Sequence, residues 1–150
     1  MSLNQQIDND LKDAMRAKDA VKLGVVRILK SAVKYAAIEK HGAEGQLEDP
    51  EVVAVIRKQI KQRQDSIESF EKAGRVELAA GEKNEMAILE GYLPKALAAE
   101  ELAALVAAAI AEAGATSKQQ MGAVMKIANL KAAGRADGRA LSAEVQKQLG

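Results

Sequence analysis

The segment KAAGRADGRALSAEV, residues 131–145, carries the residue types from which a phosphate site is built. Gly134 and Gly138 bracket Arg135 and Asp137, with Lys131 and Arg139 at the edges. Successive backbone N–H groups in a glycine-permitted turn, followed by a helix N-terminus, make a small anion cradle, and Lys126, Lys131, Arg135 and Arg139 would surround it. The same letters also describe a plain helix-to-helix turn. In that reading Gly134 is the left-handed cap of one helix, Asp137 starts the next by accepting its free N–H groups, and the arginines are solvated. A Gly-Arg-Ala-Asp-Gly string does not by itself choose between the two.

A second basic feature is RKQIKQRQDS, residues 57–66. Four-residue spacing puts Arg57 and Lys61 on one helix face, and Arg27, Lys30 and Lys34 would join them if the preceding helix packs nearby. A solvated helix face is the simpler expectation. Arg63 falls on a different face, inside an apolar stripe, where an interhelical or buried salt bridge would explain the interruption.

Little else in the chain suggests chemistry. The single histidine, His41, stands beside a glycine-rich loop without a second ligand at a useful spacing, so it reads as a solvated residue at a helix C-terminus. Acidic residues sit mostly beside basic ones, as in Glu68 and Lys72 at i and i+4. There is no Walker loop, dinucleotide fingerprint, kinase signature or Ser/Lys amidase arrangement. No catalytic residue, metal site or cofactor is expected.

The elements that must position these residues follow from composition. Aromatic residues make up 2% of the 150, apolar residues 48%, and cysteine is absent. Ala, Leu, Lys, Glu and Gln dominate, so the chain is expected to be all-α and to hold by packing alone. With 22 basic and 21 acidic side chains the whole-chain field is nearly neutral, and any polyanion affinity must be local. The opening residues show no apolar h-region, and the apolar run from Leu102 is about half the roughly 20 residues of a membrane span. A cytoplasmic protein without membrane contact is expected.

Helical periodicity runs through Leu3, Ile7, Leu11 and Ala14, then through Leu23, Val26, Val33 and Ala37 behind a cap at Asp19, with Val25, Ile28, Leu29 and Ala32 widening that stripe. After HGAEGQLED, Asp49 and Pro50 supply N-cap and N1 residues for a third helix that carries Val52, Ile56, Ile60 and Ile67 and ends or bends at Gly74. A fourth helix is expected from Val76 to Glu90, with a weak point at Gly81. The composition then turns alanine-rich, which places a domain boundary near residues 93–97. The expected organisation is an N-terminal domain of about four helices, residues 1–93, and a small three-helix domain, residues 94–150. In the second domain Gly114 closes the first helix and Thr116 or Ser117 caps the next. Residues 115–150 hold six basic and two acidic side chains, which makes this tail the basic end.

Four ordered segments resemble the bacterial YqeY family: IKQRQDSIESFEKAGR at 60–75, EMAILEGYLPK at 85–95, SKQQMGAVMK at 117–126 and KAAGRADGRAL at 131–141. The C-terminal part is also similar to the tail domain of the B subunit of the glutamyl/aspartyl-tRNA amidotransferase. Met121, Gly122, Lys126, Gly134, Arg135, Ala136, Asp137 and Gly138 match that motif. The alanine-rich ALAAEELAAL departs from it, lacking a Ser or Thr to cap its helix.

The resemblance implies a helical domain that contacts tRNA, and it carries a family label of carbon–nitrogen ligase with glutamine as amido donor. The amidase and the kinase–transamidation domains of that enzyme lie on parts this chain lacks. The function expected is thus a non-catalytic, tRNA-binding accessory of an amidotransferase or synthetase. Its RNA contacts would be Lys126, Lys131, Gly134, Arg135, Gly138 and Arg139, with a secondary basic face of Arg27, Lys30, Lys34, Arg57 and Lys61. With few aromatics to stack bases, folded RNA read through its backbone is the more consistent target. Two alternatives stand beside it: a protein-interaction module docking on a larger enzyme or another copy, and an amidotransferase in its own right.

Overall fold

The computed structural model describes residues 1–150 and contains helices and turns but no strand. Seven α-helices follow one another: α1 (Leu3–Ala17), α2 (Ala20–His41), α3 (Asp49–Lys72), α4 (Val76–Glu90), α5 (Ala99–Ala113), α6 (Met121–Ala132) and α7 (Gly138–Leu149). A single 3-10 turn, Lys118–Gln120, precedes α6. The chain divides into two compact units, Met1–Leu93 and Pro94–Gly150.

In the first unit, helix starts are written into short polar side chains. Ser2 accepts from the Gln5 N–H while the Gln5 side chain accepts from the Ser2 N–H, a reciprocal capping box. Asp19 caps α2 by accepting from the Lys22 N–H at 3.1 Å. The N-cap of α3 is Glu48 rather than Asp49, one residue earlier than the sequence predicts, and Glu51 reaches back to the Glu48 N–H at 3.0 Å. Asp49 is spent elsewhere: its Oδ1 accepts the Leu3 N–H at 3.0 Å, closing the first turn of α1 from 46 residues away.

The core of this unit joins Ile7 of α1, Val25, Val26, Leu29, Val33 and Ala37 of α2, Val52, Ile56 and Ile60 of α3, Leu89 of α4, and Leu47 and Tyr92 from the connecting segments. Each large aliphatic side chain buried there contributes roughly 1.5–3 kcal/mol. Gly74, at φ 73°, supplies the left-handed turn between α3 and α4. Gly81 does not interrupt α4.

The second unit is a three-helix arrangement around Val106 and Ala109 of α5, Val124, Ala128 and Ala132 of α6, and Leu141 and Val145 of α7. Its core alternates Val or Leu with Ala, so small side chains let the three helices approach closely. Gly114, at φ 64°, ends α5 as predicted. Neither Thr116 nor Ser117 caps α6 through its side chain. Instead Gln120 accepts the Thr116 N–H at 2.7 Å and the 3-10 turn leads into the helix. α5 begins without a Ser, Thr or Asp cap, and Glu101 reaches back to the Ala98 N–H at 3.4 Å.

Candidate nucleic-acid interface

The 131–139 segment folds as the turn joining α6 to α7. Ala133, at φ 49°, is the left-handed cap of α6, and Gly134 follows at φ 82°. The cap thus starts one residue earlier than predicted, on an alanine. Such a conformation costs about 1 kcal/mol for a residue with a Cβ. The Arg135 N–H closes the turn on the Ala132 carbonyl at 2.9 Å. Asp137 is the N-cap of α7, its Oδ1 accepting the Ala140 N–H at 2.7 Å. A carboxylate of the chain itself therefore occupies the N-terminus of α7, where the cradle reading placed a phosphate. Gly138 is the first residue of α7, and a Cβ built there meets nothing within 4 Å, so no close backbone approach explains that glycine.

The cations predicted to surround the turn have separate surroundings. Lys131 Nζ pairs with Glu112 of α5 at 3.1 Å. Arg135 donates through Nε to the Lys95 carbonyl at 2.9 Å and through Nη2 to Glu101 at 3.4 Å. The Arg135 carbonyl in turn accepts the Leu97 N–H at 3.0 Å. Arg135 thus clamps the segment leading into α5, the helix that starts without a short polar cap. Lys126 and Arg139 are exposed. Five residues separate Lys126 from Lys131, which sets them about 140° apart around α6, on different faces. Lys131 and Arg135 are thus tied to two different carboxylates of α5 rather than turned together toward a shared anion.

The secondary basic residues also divide. Lys30 Nζ pairs with Asp8 of α1 at 2.9 Å. Lys30 and Lys34 border a cavity of about 320 Å³ whose walls include Asn4, Ile7 and Asp8 of α1, Ala37 of α2 and the 43–47 segment. Lys30 therefore turns toward α1 rather than toward α3. Arg27 is exposed on α2, while Lys61 is exposed and Arg57 half-buried on α3.

Arg63 behaves as its place in the stripe predicts. Its side chain is only 11% exposed, and Nη1 pairs with Glu82 at 3.1 Å and with Glu85, both on α4. The carboxylates stand at i and i+3, one above the other on the face of α4 turned toward α3. The group is an interhelical tie, and its charges are held by one another.

Two polar centres escape the sequence reading. His41 has a partner after all: its Nε2 lies 3.0 Å from Glu51 Oε2, and Lys40 Nζ lies 3.2 Å from the same oxygen. The Glu48 N–H, and then His41, hold the Glu51 carboxyl down at a pKa of about 2. The second centre is Tyr92, whose hydroxyl donates to Asp10 Oδ2 at 2.6 Å. Burial, reinforced by that carboxylate, raises the pKa of the Tyr92 phenol. The signal for the first was the Glu-x-x-Glu string, Glu48 to Glu51, at the start of α3. For the second, separated by 82 residues, no local signal exists.

The chain is all-helical, with its helices grouped in two units and the EGYLPK segment at the division. The chain belongs to the YqeY-like proteins: the family model described as "Yqey-like protein" matches residues 4–149. It is similar to the altered inheritance of mitochondria protein 41, mitochondrial, of Lachancea thermotolerans, with 36% identity over 95 residues that cover 63% of this chain and 50% of the relative. The protein of the same name from Pyrenophora tritici-repentis is 30% identical over 148 residues, 97% of this chain and 80% of the relative. An uncharacterized protein of Schizosaccharomyces pombe is 29% identical over 94 residues, 63% of this chain and 74% of that protein. The chain thus spans about half the length of the Lachancea relative. The Lachancea and Pyrenophora relatives are mitochondrial by name, whereas a cytoplasmic protein was expected for this chain; no helix here is long and apolar enough to cross a membrane.

Proposed function

We propose that this YqeY-like chain is an accessory protein without chemistry of its own, which contacts the phosphate backbone of tRNA through residues 115–150 and assists an amidotransferase or synthetase. The observation that carries the reading is the charge of that stretch. Lys118, Lys126, Arg139 and Lys147 are exposed, and Lys131 and Arg135 stand in solvent-accessible ion pairs with single glutamates of α5. Exposed pairs of this kind are worth at most about 1 kcal/mol, so a polyanion with counterions to release can displace the glutamates. Binding of this sort positions backbone and does not read bases. It is spread over a helical surface and needs no pocket.

The test is a tRNA titration at several salt concentrations. Four phosphate contacts give a log–log salt slope of about −3. Lys126→Glu with Arg139→Glu removes two exposed cations that hold no structural partner, and it should weaken binding at low salt at least tenfold. Retention of full affinity by that double variant, or no RNA binding by the wild type at low salt, would overturn the proposal. Glutamine-dependent conversion of misacylated tRNA by the purified chain alone is expected to be absent. Its presence would favour the amidotransferase reading that the family resemblance carries.

A further inference from the structure

The most conspicuous surface in the first unit is on α2. Opposite the buried face of Val25, Val26, Leu29, Val33 and Ala37, the helix presents Val21, Ile28, Tyr35 and Ile38 to solvent. Tyr35 is 73% exposed in a chain that has only two tyrosines and one phenylalanine. Gly24 and Ser31 stand between these side chains, so the sequence 21, 24, 28, 31, 35, 38 alternates steps of three and four along one line. That spacing is the seam of a helix that packs against another helix.

Gly24 supplies an independent observation. It lies within α2, is exposed, and adopts no positive φ, and a Cβ added there meets nothing within 4 Å. Neither its backbone conformation nor any neighbour in its own chain explains a glycine, which is among the poorest formers of helix interiors. A glycine on a seam lets the partner's backbone or a bulky side chain come close.

We propose that α2 is the self-association surface of this protein, pairing antiparallel with α2 of a second copy about a two-fold axis between residues 29 and 30. An antiparallel seam brings together positions whose numbers sum to a constant. Here the register that superposes the two seams pairs Val21 with Ile38, Gly24 with Tyr35 and Ile28 with Ser31 of the second copy. Two of the three layers set a large side chain over a small one, and the third joins two aliphatics, as close packing requires. A parallel pairing would instead stack Gly24 on Gly24 and Ser31 on Ser31, leaving gaps.

The flanking charges set the strength of this dimer. Arg27 of one copy falls opposite Lys34 of the other, twice across the axis, so the basic edge opposes association and salt should favour it. The seam extends about 27 Å, and a single helix pair lies at the low end of specific interface sizes. Association is therefore expected in the micromolar range, in equilibrium with monomer. The inference uses only the first unit and does not depend on the tRNA reading.

Sedimentation equilibrium of the full chain across roughly 5–500 µM tests it. The wild type should pass from 15.9 kDa toward twice that mass, more readily at high salt. Gly24→Leu, at an exposed position where an added Cβ meets nothing within 4 Å, and Tyr35→Glu should each weaken association at least tenfold without loss of helicity. Arg27→Glu should strengthen it severalfold by converting the repulsion with Lys34 into attraction. Since the chain has no cysteine, Val21→Cys and Ile38→Cys chains mixed under oxidising conditions should cross-link to each other, and neither should cross-link to itself. A wild type that stays monomeric throughout, a Gly24→Leu variant that associates as the wild type does, or self-cross-linking of Val21→Cys would each overturn the proposal.

Discussion

Tyr92, the second residue past α4, donates its hydroxyl to Asp10 of α1 at 2.6 Å. The contact fastens the first helix of the N-terminal unit to the end of the last. The tyrosine ring is at the same time part of the core formed by Ile7, Leu29 and Leu89. Tyr92→Phe keeps the ring and removes the bond to a carboxylate, and a loss of about 1–2 kcal/mol in urea unfolding is expected. Because the folded-state pKa of Tyr92 is raised, its contribution is complete below about pH 10 and disappears as the pH rises beyond that. Stability of the wild type should therefore fall more steeply than that of Tyr92→Phe in alkaline solution.

Acid stability should depend on Glu51. Its carboxyl is held at about 2 in the folded chain against an ordinary 4.5, so its contribution is present above pH 4.5 and is lost as the pH falls toward 2. Glu51→Gln cannot titrate, and it weakens the contacts with His41 and Lys40. Thermal unfolding between pH 7 and pH 2 should show a shallower acid limb for the variant, starting from a lower plateau at neutral pH. Equal slopes for the two proteins would contradict the assignment.

Arg63 joins α3 to two carboxylates of α4 from a position that is 11% exposed. Arg63→Met leaves Glu82 and Glu85 facing each other without a cation, and about 2–3 kcal/mol of destabilisation is expected. Adding Glu82→Gln and Glu85→Gln to that variant should recover more than half of the loss. Chemical denaturation of the single and triple variants measures both numbers.

Gly81 lies inside α4, exposed, with open space where a Cβ would stand. Gly81→Ala should stabilise the N-terminal unit by about 0.5–1 kcal/mol, read as an increase in the midpoint of urea unfolding. A decrease would mean that something close to the helix requires the glycine.

Arg135 is a positioning residue for α5 before it is anything else. Arg135→Gln should lower the stability of the C-terminal unit by about 1 kcal/mol through the lost bonds to the Lys95 carbonyl and Glu101. Circular dichroism melting of the variant beside Lys126→Gln, which should be neutral, separates the structural role from the charge.

The helices were legible in the sequence because their signals are local. Asp19 caps α2 as its position suggested, α4 runs from Val76 to Glu90, and Arg63 sits in the interhelical pair that its interruption of the stripe implied. Legibility failed where a side chain served a distant segment. Asp49 has the right type and place to cap its own helix, yet it caps α1, because Glu48 and Glu51 already close the start of α3. The cations at 126–139 could be named but not grouped, since grouping depends on where Glu101 and Glu112 of α5 stand. The exposed line on α2 was hidden for another reason: an apolar residue reads as core until the packing shows which of two faces is covered.

The hydrogen bond from Leu3 to Asp49 also ties the order of the first turn of α1 to the placement of α3. That turn has its distant partner only while the start of α3 is in place, so an opening that lifts α3 away would release the Leu3 amide to solvent. Deuterium uptake at the Leu3 amide would accordingly serve as a sensor of whether α3 has docked.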